Sequence, residues 1–319
     1  MAGNPADALP GGLYRSVHDQ LLGTRVSLRV RADNEAAADA AEAAAIDEMD
    51  RLEGILTAFR PNSEWSRWRR GKTDAVGVEI TRVLELAQYW HARSDGAFHP
   101  NSGRLMARWR QAERSGALPA DDELAALADD AAALPYTVDD GVVHRLGDCS
   151  QLDLHAIAKG WIVDQGAARA AATPGVHSVL LNAGGDLLHR GVGIVTAGIE
   201  DPARPFDNIA PLTRIAFGEG GLATSSGARR GIRVGDETRT HVLDPRTGRP
   251  VVEVLAASAL APDAATADVA ATVLSVLPVA DGLRFADRHG IAALVVTADG
   301  TRRTNAAWAE VARVNRRSG

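Results

Sequence analysis

Lysine is almost absent from this 319-residue chain: Lys72 and Lys159 are the only two, so 33 of its 35 basic residues are arginine. A single cysteine, Cys149, excludes an intrachain disulfide. A basic excess is missing too. The net charge is -6 and the isoelectric point about 5.9, so no nucleic-acid partner is expected. No apolar run approaches the roughly 20 residues of a membrane helix, so no membrane span is expected. Residues 1–12 lack a basic start followed by an apolar stretch, and no lipid-attachment cysteine stands there. The cytoplasm is therefore the expected compartment. Aromatic residues make up only 4%. What is there is an ordinary globular balance, 45% apolar and 24% charged, with ample material for a core. The length alone suggests about two domains' worth of chain.

The patterning mixes periods. Residues 24–30 alternate, with Val26, Leu28 and Val30 on one face, as in a strand. Asp33 or Asn34 caps an Ala-rich helix over 35–58, whose inward stripe reads Ile46, Met49, Leu52, Leu56 and Phe59; Pro61 stops it. A second helix covers 79–93, with Val83, Leu84, Ala87 and Trp90 inward. Residues 94–103 read as a turn-rich loop, 105–111 as a short helix, and 120–133 as an acidic surface helix. A hairpin is expected over 138–146 around Asp140-Gly141. Further helices are expected at 158–171, 265–277 and 280–289, and strands at 178–181, 194–199, 212–217, 241–243, 255–260 and 291–297. No regular βαβ alternation appears, so the fold class is mixed-sheet α+β, with room for a bilobed shape. Residues 1–17 read as a loose tail, 18–312 as a single catalytic domain, and 313–319 as a basic, frayed tail.

Five clusters carry candidate chemistry. Asn182-Ala-Gly-Gly-Asp186 follows a strand; its glycines allow close backbone approach to a phosphate or ring carbonyl, and a plain turn capped by Asp186 fits as well. Asp153-Leu-His-Ala-Ile-Ala-Lys-Gly160 puts the rare Lys159 near a helix start, as an anion site would, or as an exposed surface lysine. Thr240-His-Val-Leu-Asp-Pro-Arg-Thr-Gly248 combines a turn with His241, and histidine is a residue type suited to general-base work; a β-turn with a nearby structural histidine fits as well. Thr266-Ala-Asp-Val-Ala-Ala-Thr272 projects Asp268 and Thr272 from one helix face. Carboxylate and hydroxyl oxygens there suit Mg²⁺, which keeps places for water or phosphate; a first-turn Asp favoured by the helix dipole is the plainer reading. Gly221-Leu-Ala-Thr-Ser-Ser-Gly227, with Arg229-Arg230 after it, offers hydroxyls and cations to phosphate, or is a polar loop.

The order of the clusters says more than any one of them. Gly23-Thr24, Ser63-Glu64, Ser94-x-Gly-Ala-Phe98, Asp153-x4-Ala158-Lys-Gly160, Asn182-x-Gly-Gly-Asp186, Thr224-Ser225, His241-x2-Asp-Pro-x-Thr-Gly248 and Ala267-Asp268-x3-Thr272 follow one another. That series resembles the FAD:protein FMN transferase family, also called ApbE-like, over about residues 18–300. The resemblance implies a T-fold-related α+β architecture with the flavin nucleotide between lobes. It implies FAD as substrate, Mg²⁺ as cofactor, and transfer of the FMN half through its phosphate to a Thr or Ser hydroxyl of an acceptor flavoprotein, with release of AMP. Some relatives hydrolyse FAD to FMN and AMP instead, and a non-catalytic flavin-binding protein is a further alternative. On this resemblance Asp268, Thr272 and the carbonyl of Ala158 hold the metal. His241 and Asp244 belong to the catalytic region. Lys159, Asn182, Gly184, Gly185, Asp186, Thr224 and Ser225 line the nucleotide pocket.

The chain departs from the family pattern at several places. His155-Ala156 stands where two glycines are usual, His99 where an Asp is usual, and Trp68-Arg69 where a Leu-Asn pair is usual. Thr224-Ser-Ser-Gly-Ala-Arg-Arg230 replaces a Thr-Ser-Gly followed by an acidic residue and Tyr. These changes fall in the part that would grip FAD, while the metal and His-Asp-Pro parts are intact. The adenine is accordingly expected to stack on a different aromatic, with Trp65, Trp68 and Trp161 as candidates.

Overall fold

The computed structural model describes residues 9–204, 209–227 and 231–317, the last five by backbone alone. The chain starts with β1 (Gly12–Leu21), β2 (Thr24–Ala32), α1 (Glu35–Leu56), α2 (Glu64–Arg69), α3 (Val78–Arg93), α4 (Gly103–Ser115) and α5 (Asp121–Ala131). A hairpin of β3 (Tyr136–Asp139) and β4 (Val142–Arg145) leads to α6 (His155–Ala171), β5 (Val176–Ala183), β6 (Asp186–Gly191), β7 (Val195–Ile199), β8 (Thr213–Phe217) and β9 (Gly220–Ser226). Then come β10 (Gly231–Val234), β11 (Glu237–Thr240), β12 (Leu243–Asp244), β13 (Arg249–Pro250), β14 (Val254–Ala261), α7 (Ala264–Val276), α8 (Val279–Arg288), β15 (Ala292–Thr297), β16 (Arg302–Thr304) and α9 (Ala306–Arg317).

Eight strands form one sheet in the order β1-β2-β5-β6-β9-β14-β15-β16, with antiparallel pairing throughout. That is an α+β fold. Helices α1, α6 and α7 pack together over one face, where the main core collects Val26, Leu28, Met49, Leu52, Ile162, Val163, Val269 and Val273. A smaller core on the other face joins Ile215, Phe217, Leu294 and Trp308 under α9. A third joins Leu105, Trp109, Leu124 and Leu243. Among the described residues no helix is long and apolar enough to cross a membrane.

Most expected elements are present with shifted ends. Asn34 caps α1 by accepting the Ala37 amide at 3.0 Å. The α1 stripe is more alanine than expected: Ala38, Ala41 and Ala45 are buried with Met49, Leu52 and Leu56. Phe59 is not part of it. The helix ends at Leu56, the chain turns, and Phe59 is 83% exposed. Residues 12–17, read as tail, belong to β1. This edge strand pairs only with β2 and leaves Leu13 and Val17 exposed, so its apolar signal is weak. The basic C-terminal residues from Arg313 continue α9 as far as Arg317.

The segment 221–226 belongs to a central strand, β9, between β6 and β14, and Gly227 follows it in a bend. Its small and hydroxylic residues hide the strand period, because the neighbouring strands supply the packing. The expected strand at 241–243 is instead a bend at His241, followed by the two-residue bridge β12. The loop 94–103 does form, and Ser94 holds it by accepting the Phe98 amide at 3.0 Å.

Candidate active site

The sheet brings the clusters to one end. β5 runs into the Gly184-Gly185 turn and β6 starts at Asp186. Asn182 braces that turn by accepting the Gly185 amide at 3.0 Å. β6 pairs with β9 through Leu187 opposite Leu222, which carries Thr224 and Ser225 toward the same end as the Gly-Gly turn. Thr224 shares a 2.8 Å hydrogen bond with Ser258 of β14, a partner that no sequence pattern marked. Beyond Ser226 the backbone passes Thr240 closely: a Cβ on Gly227 would lie 2.4 Å from the Thr240 hydroxyl. His241 follows directly.

Lys159 projects from α6 and forms a 2.7 Å ion pair with Asp186, which is almost fully buried. Asp268 of α7 completes the group. Its carboxylate is reached by the Gly160 amide, and it feels both the Asp186 charge and the Lys159 ammonium. Burial is the main cause that holds both carboxyls above the usual carboxylate range; the lysine opposes it. Two carboxylates and one ammonium leave a formal charge of minus one out of water, and such a charge must find a proton or a cation. Asp268 Oδ2 is enclosed and has no hydrogen-bond partner among the described residues. Half-buried Thr272 lies one turn further along α7. Among the described residues no three His, Cys, Asp or Glu form a ready metal cluster. A cation here must therefore also use hydroxyl and carbonyl oxygens, which suits a hard ion. Ala158, the residue before Lys159, is buried at the start of the same helix.

The α7 N-terminus does not act as an anion cradle. Asp263 accepts the Thr266 amide at 2.7 Å, and Asp164 accepts those of Ala264 and Ala265 at 2.7 and 3.0 Å. The Ala267 amide reaches the Asp263 carbonyl. The amides that a helix start normally leaves open are thus committed to the protein itself.

Asp244 stands apart from the carboxylate group. Both its oxygens are taken by Arg246, which donates from its backbone amide at 3.0 Å and from Nε and Nη2 at 2.8 Å. Arg246 also feels the charges of Asp95 and Asp281, and its Cγ would lie 3.8 Å from a Cβ on Gly96, so the Asp-Pro turn lies against the 94–103 loop. His99 is buried in that loop. Its Nδ1 accepts the Asn101 amide at 3.1 Å, and its ring lies 4.3 Å from that of His91. Burial, aided by His91, pushes His99 down to about 4, so it is a neutral peg.

The start of α6 and the end of α2 hold further departures. Asp153 Oδ1 pairs with Nδ1 of His155 and also accepts the His155 amide. This pairing raises the pKa of the exposed His155 against a smaller opposing effect of desolvation. The His155 ring faces exposed Phe59 at 5.8 Å. Arg69 holds the Leu152 carbonyl through Nη1 at 3.2 Å. The expected adenine platforms are not available: Trp65 and Trp68 are fully buried, stacked on each other and covered by Arg145, and Trp161 is buried in α6. Their hydrophobic payload went to the core, and Phe59 is the exposed ring instead. Arg229 and Arg230 lie outside the described residues.

Known proteins agree with this architecture. The chain is 28% identical to an FAD:protein FMN transferase of Rhodobacter capsulatus over 75% of its length, and spans about half (48%) of that relative. It is 27% identical to the FAD:protein FMN transferase of Vibrio cholerae, with 78% of each chain covered. Among solved structures, the ApbE protein of Thermotoga maritima superposes with a TM-score of 0.81 at 23% identity, covering 95% of this chain and all of that one. The flavin transferase ApbE of Vibrio cholerae superposes with a TM-score of 0.76 at 20% identity, covering 94% of this chain and all of that one. The family model described as the ApbE family matches residues 22–295, and the chain belongs to that family.

Proposed function

We propose that this chain is an FAD:protein FMN transferase that uses Mg²⁺, moves FMN onto a Thr or Ser hydroxyl of an acceptor flavoprotein, and releases AMP. The observation that carries this reading is the Lys159–Asp186–Asp268 group, with its surplus negative charge and the unpartnered Asp268 Oδ2. The names of the relatives support the flavin chemistry. The donor set fits the metal, which Asp268, Thr272 and the Ala158 carbonyl would hold. When bound, Mg²⁺ neutralises charge growing on the pyrophosphate oxygens.

The chain's own residues do the rest. Asn182 and the Gly184-Gly185 turn present backbone to the nucleotide, with Thr224 and Ser225 beside them. Lys159 pairs with Asp186, favours its charged form, and acts through its charge on Asp268 as well. The acceptor hydroxyl oxygen bonds to the flavin-side phosphorus, the bond from that phosphorus to the bridging oxygen breaks, and AMP leaves with the electron pair. His241 takes the hydroxyl proton. Asp244, committed to Arg246, fixes the turn that carries His241.

The test incubates the full chain with FAD and Mg²⁺, with and without a candidate acceptor, and follows AMP and acceptor mass together. AMP release with one FMN mass added to the acceptor is expected. AMP and free FMN without labelling of any acceptor would instead make the protein an FAD pyrophosphatase. No AMP from the folded protein would overturn both.

A further inference from the structure

One buried carboxylate has no part in the chemistry above. Asp164 sits in the apolar run Trp161-Ile-Val-Asp164 of α6 and is 6% exposed. A charged residue on such a face is rare unless its oxygens are used. Both are. Oδ1 accepts the Ala264 amide at 2.7 Å and Oδ2 the Ala265 amide at 3.0 Å, so the side chain grips the first two residues of α7 from the neighbouring helix. Burial pushes the Asp164 pKa up to about 7, while the two amides and the positive end of that helix favour its charged form. The other charged groups that it feels are Asp263, the N-cap residue of α7, and Arg190 of β6.

One turn back along α6, Gly160 completes the grip. A Cβ there would lie 2.5 Å from the Ala264 carbonyl oxygen, so only glycine lets the two backbones approach this closely. The Gly160 amide in turn reaches Asp268. Asp164 and Gly160 thus fix the height and rotation of α7 against α6 on either side of one contact. Ala158 and Lys159 lie on one of these helices; Asp268 and Thr272 lie on the other.

We propose that Asp164 is a positioning residue for the cation site: it sets the register of α7 on α6, so that oxygens from the two helices converge on one ion. The inference rests on the metal reading given above. An ordinary N-cap would only keep α7 from fraying, and Asp263, the N-cap residue just before α7, already does that by accepting the Thr266 amide. A bond from α6 adds what an internal cap cannot, a fixed relation between the two helices.

The experiment measures Mn²⁺ binding to the full chain from the loss of the free-ion EPR signal, for wild type, Asp164→Asn and Asp263→Ala. Asp164→Asn keeps the volume but turns an NH₂ group toward one of the two amides. It is expected to fold and to bind Mn²⁺ roughly tenfold to a hundredfold more weakly, the usual cost of losing a group that orients metal ligands. Its turnover is expected to need a correspondingly higher Mg²⁺ concentration, with kcat recovering at saturation. Asp263→Ala is expected to lower Tm while keeping its Mn²⁺ affinity within about twofold. Wild-type Mn²⁺ affinity in folded Asp164→Asn would overturn the assignment. So would an equal loss in both variants, because plain fraying would then explain it. A wild type that binds no Mn²⁺ would overturn the metal reading itself. If Asp164→Asn does not fold, the wild type carries the test by reciprocity: Mg²⁺ must slow hydrogen exchange at the Ala264 and Ala265 amides relative to the rest of the main core, and unchanged exchange there would overturn the inference.

Discussion

The two walls of the candidate site are held by different physics. The wall made by α6, α7, β6 and β9 is fixed by backbone: amides of α7 bonded to Asp164, a glycine contact, and a lysine between two carboxylates. The second wall, at the very start of α6 from Phe59 to His155, is fixed by side chains, mostly at the surface: an Asp–His pair, an exposed ring and arginine contacts. The first kind tolerates little change, since a lost partner leaves a buried charge uncompensated. The second tolerates much, because exposed ion pairs are worth only about 0.2–1 kcal/mol. Three departures from the family pattern, His155, Ala156 and Arg69, belong to the second wall, while Lys159, Gly160 and Asp268 stand unaltered in the first; His99 lies in the 94–103 loop, and the stretch after Ser225 runs out of β9.

The largest expected effect tests the first wall directly. Asp268→Ala is expected to abolish Mg²⁺-dependent release of AMP. It removes one of two like charges around Lys159, so the Tm should hold or rise as the surplus charge goes. AMP release at the wild-type rate would break the assignment; a collapsed Tm would mean that Asp268 is structural. Next is His241→Ala, expected to lower kcat about 100-fold, the usual size of a general-base contribution. An effect confined to KM would move His241 into the binding surface.

How much of this was legible in the sequence also follows the division. Asp268-x3-Thr272, Lys159-Gly160 and the Gly184-Gly185 turn are local patterns, and the structure brings Lys159, Asp186 and Asp268 together. Asp164 was visible only as a carboxylate in an apolar run, and its partners lie 100 and 101 residues away, beyond any local period. Ser258, bonded to Thr224, was hidden by the same distance. Strand β9 was missed because its own side chains are small and its burial comes from β6 and β14. The tryptophans misled for a different reason. A Trp in a helix offers the same ring to a ligand or to the core, and only tertiary packing decides.

A third prediction concerns the peg behind the Asp-Pro turn. His99 is neutral when folded, with its pKa pushed down to about 4 from an ordinary value of 6.5. Below pH 6.5 the unfolded chain takes up a proton that the folded one refuses. The stability contributed by neutral His99 is therefore complete above pH 6.5 and is lost as pH falls toward 4. The loss at pH 5 should be about 2 kcal/mol. Denaturant melts at pH 7 and pH 5 are expected to differ by that much more in wild type than in His99→Gln. Parallel pH dependence in the two proteins would mean that His99 does not carry the slope.

The smallest effect bears on the second wall, at the position where this chain puts a side chain in place of glycine. The pairing with Asp153 raises the His155 pKa, so the imidazolium survives to higher pH than an isolated histidine would. Asp153 is itself tied down, since its amide donates to the Pro100 carbonyl at 2.7 Å. The ring is thus held beside Phe59, and on the proposed function it offers a positive charge to the nucleotide. His155→Gly removes ring and charge without touching the buried wall. KM for FAD should rise roughly two- to fivefold, the range that an exposed charge contact supplies, with kcat unchanged. In wild type that KM should also climb as pH rises through the His155 pKa, and in the variant it should stay flat. A fall in kcat of the size expected for His241→Ala would erase the distinction between the walls, because His155 would then belong to the chemistry rather than to the grip.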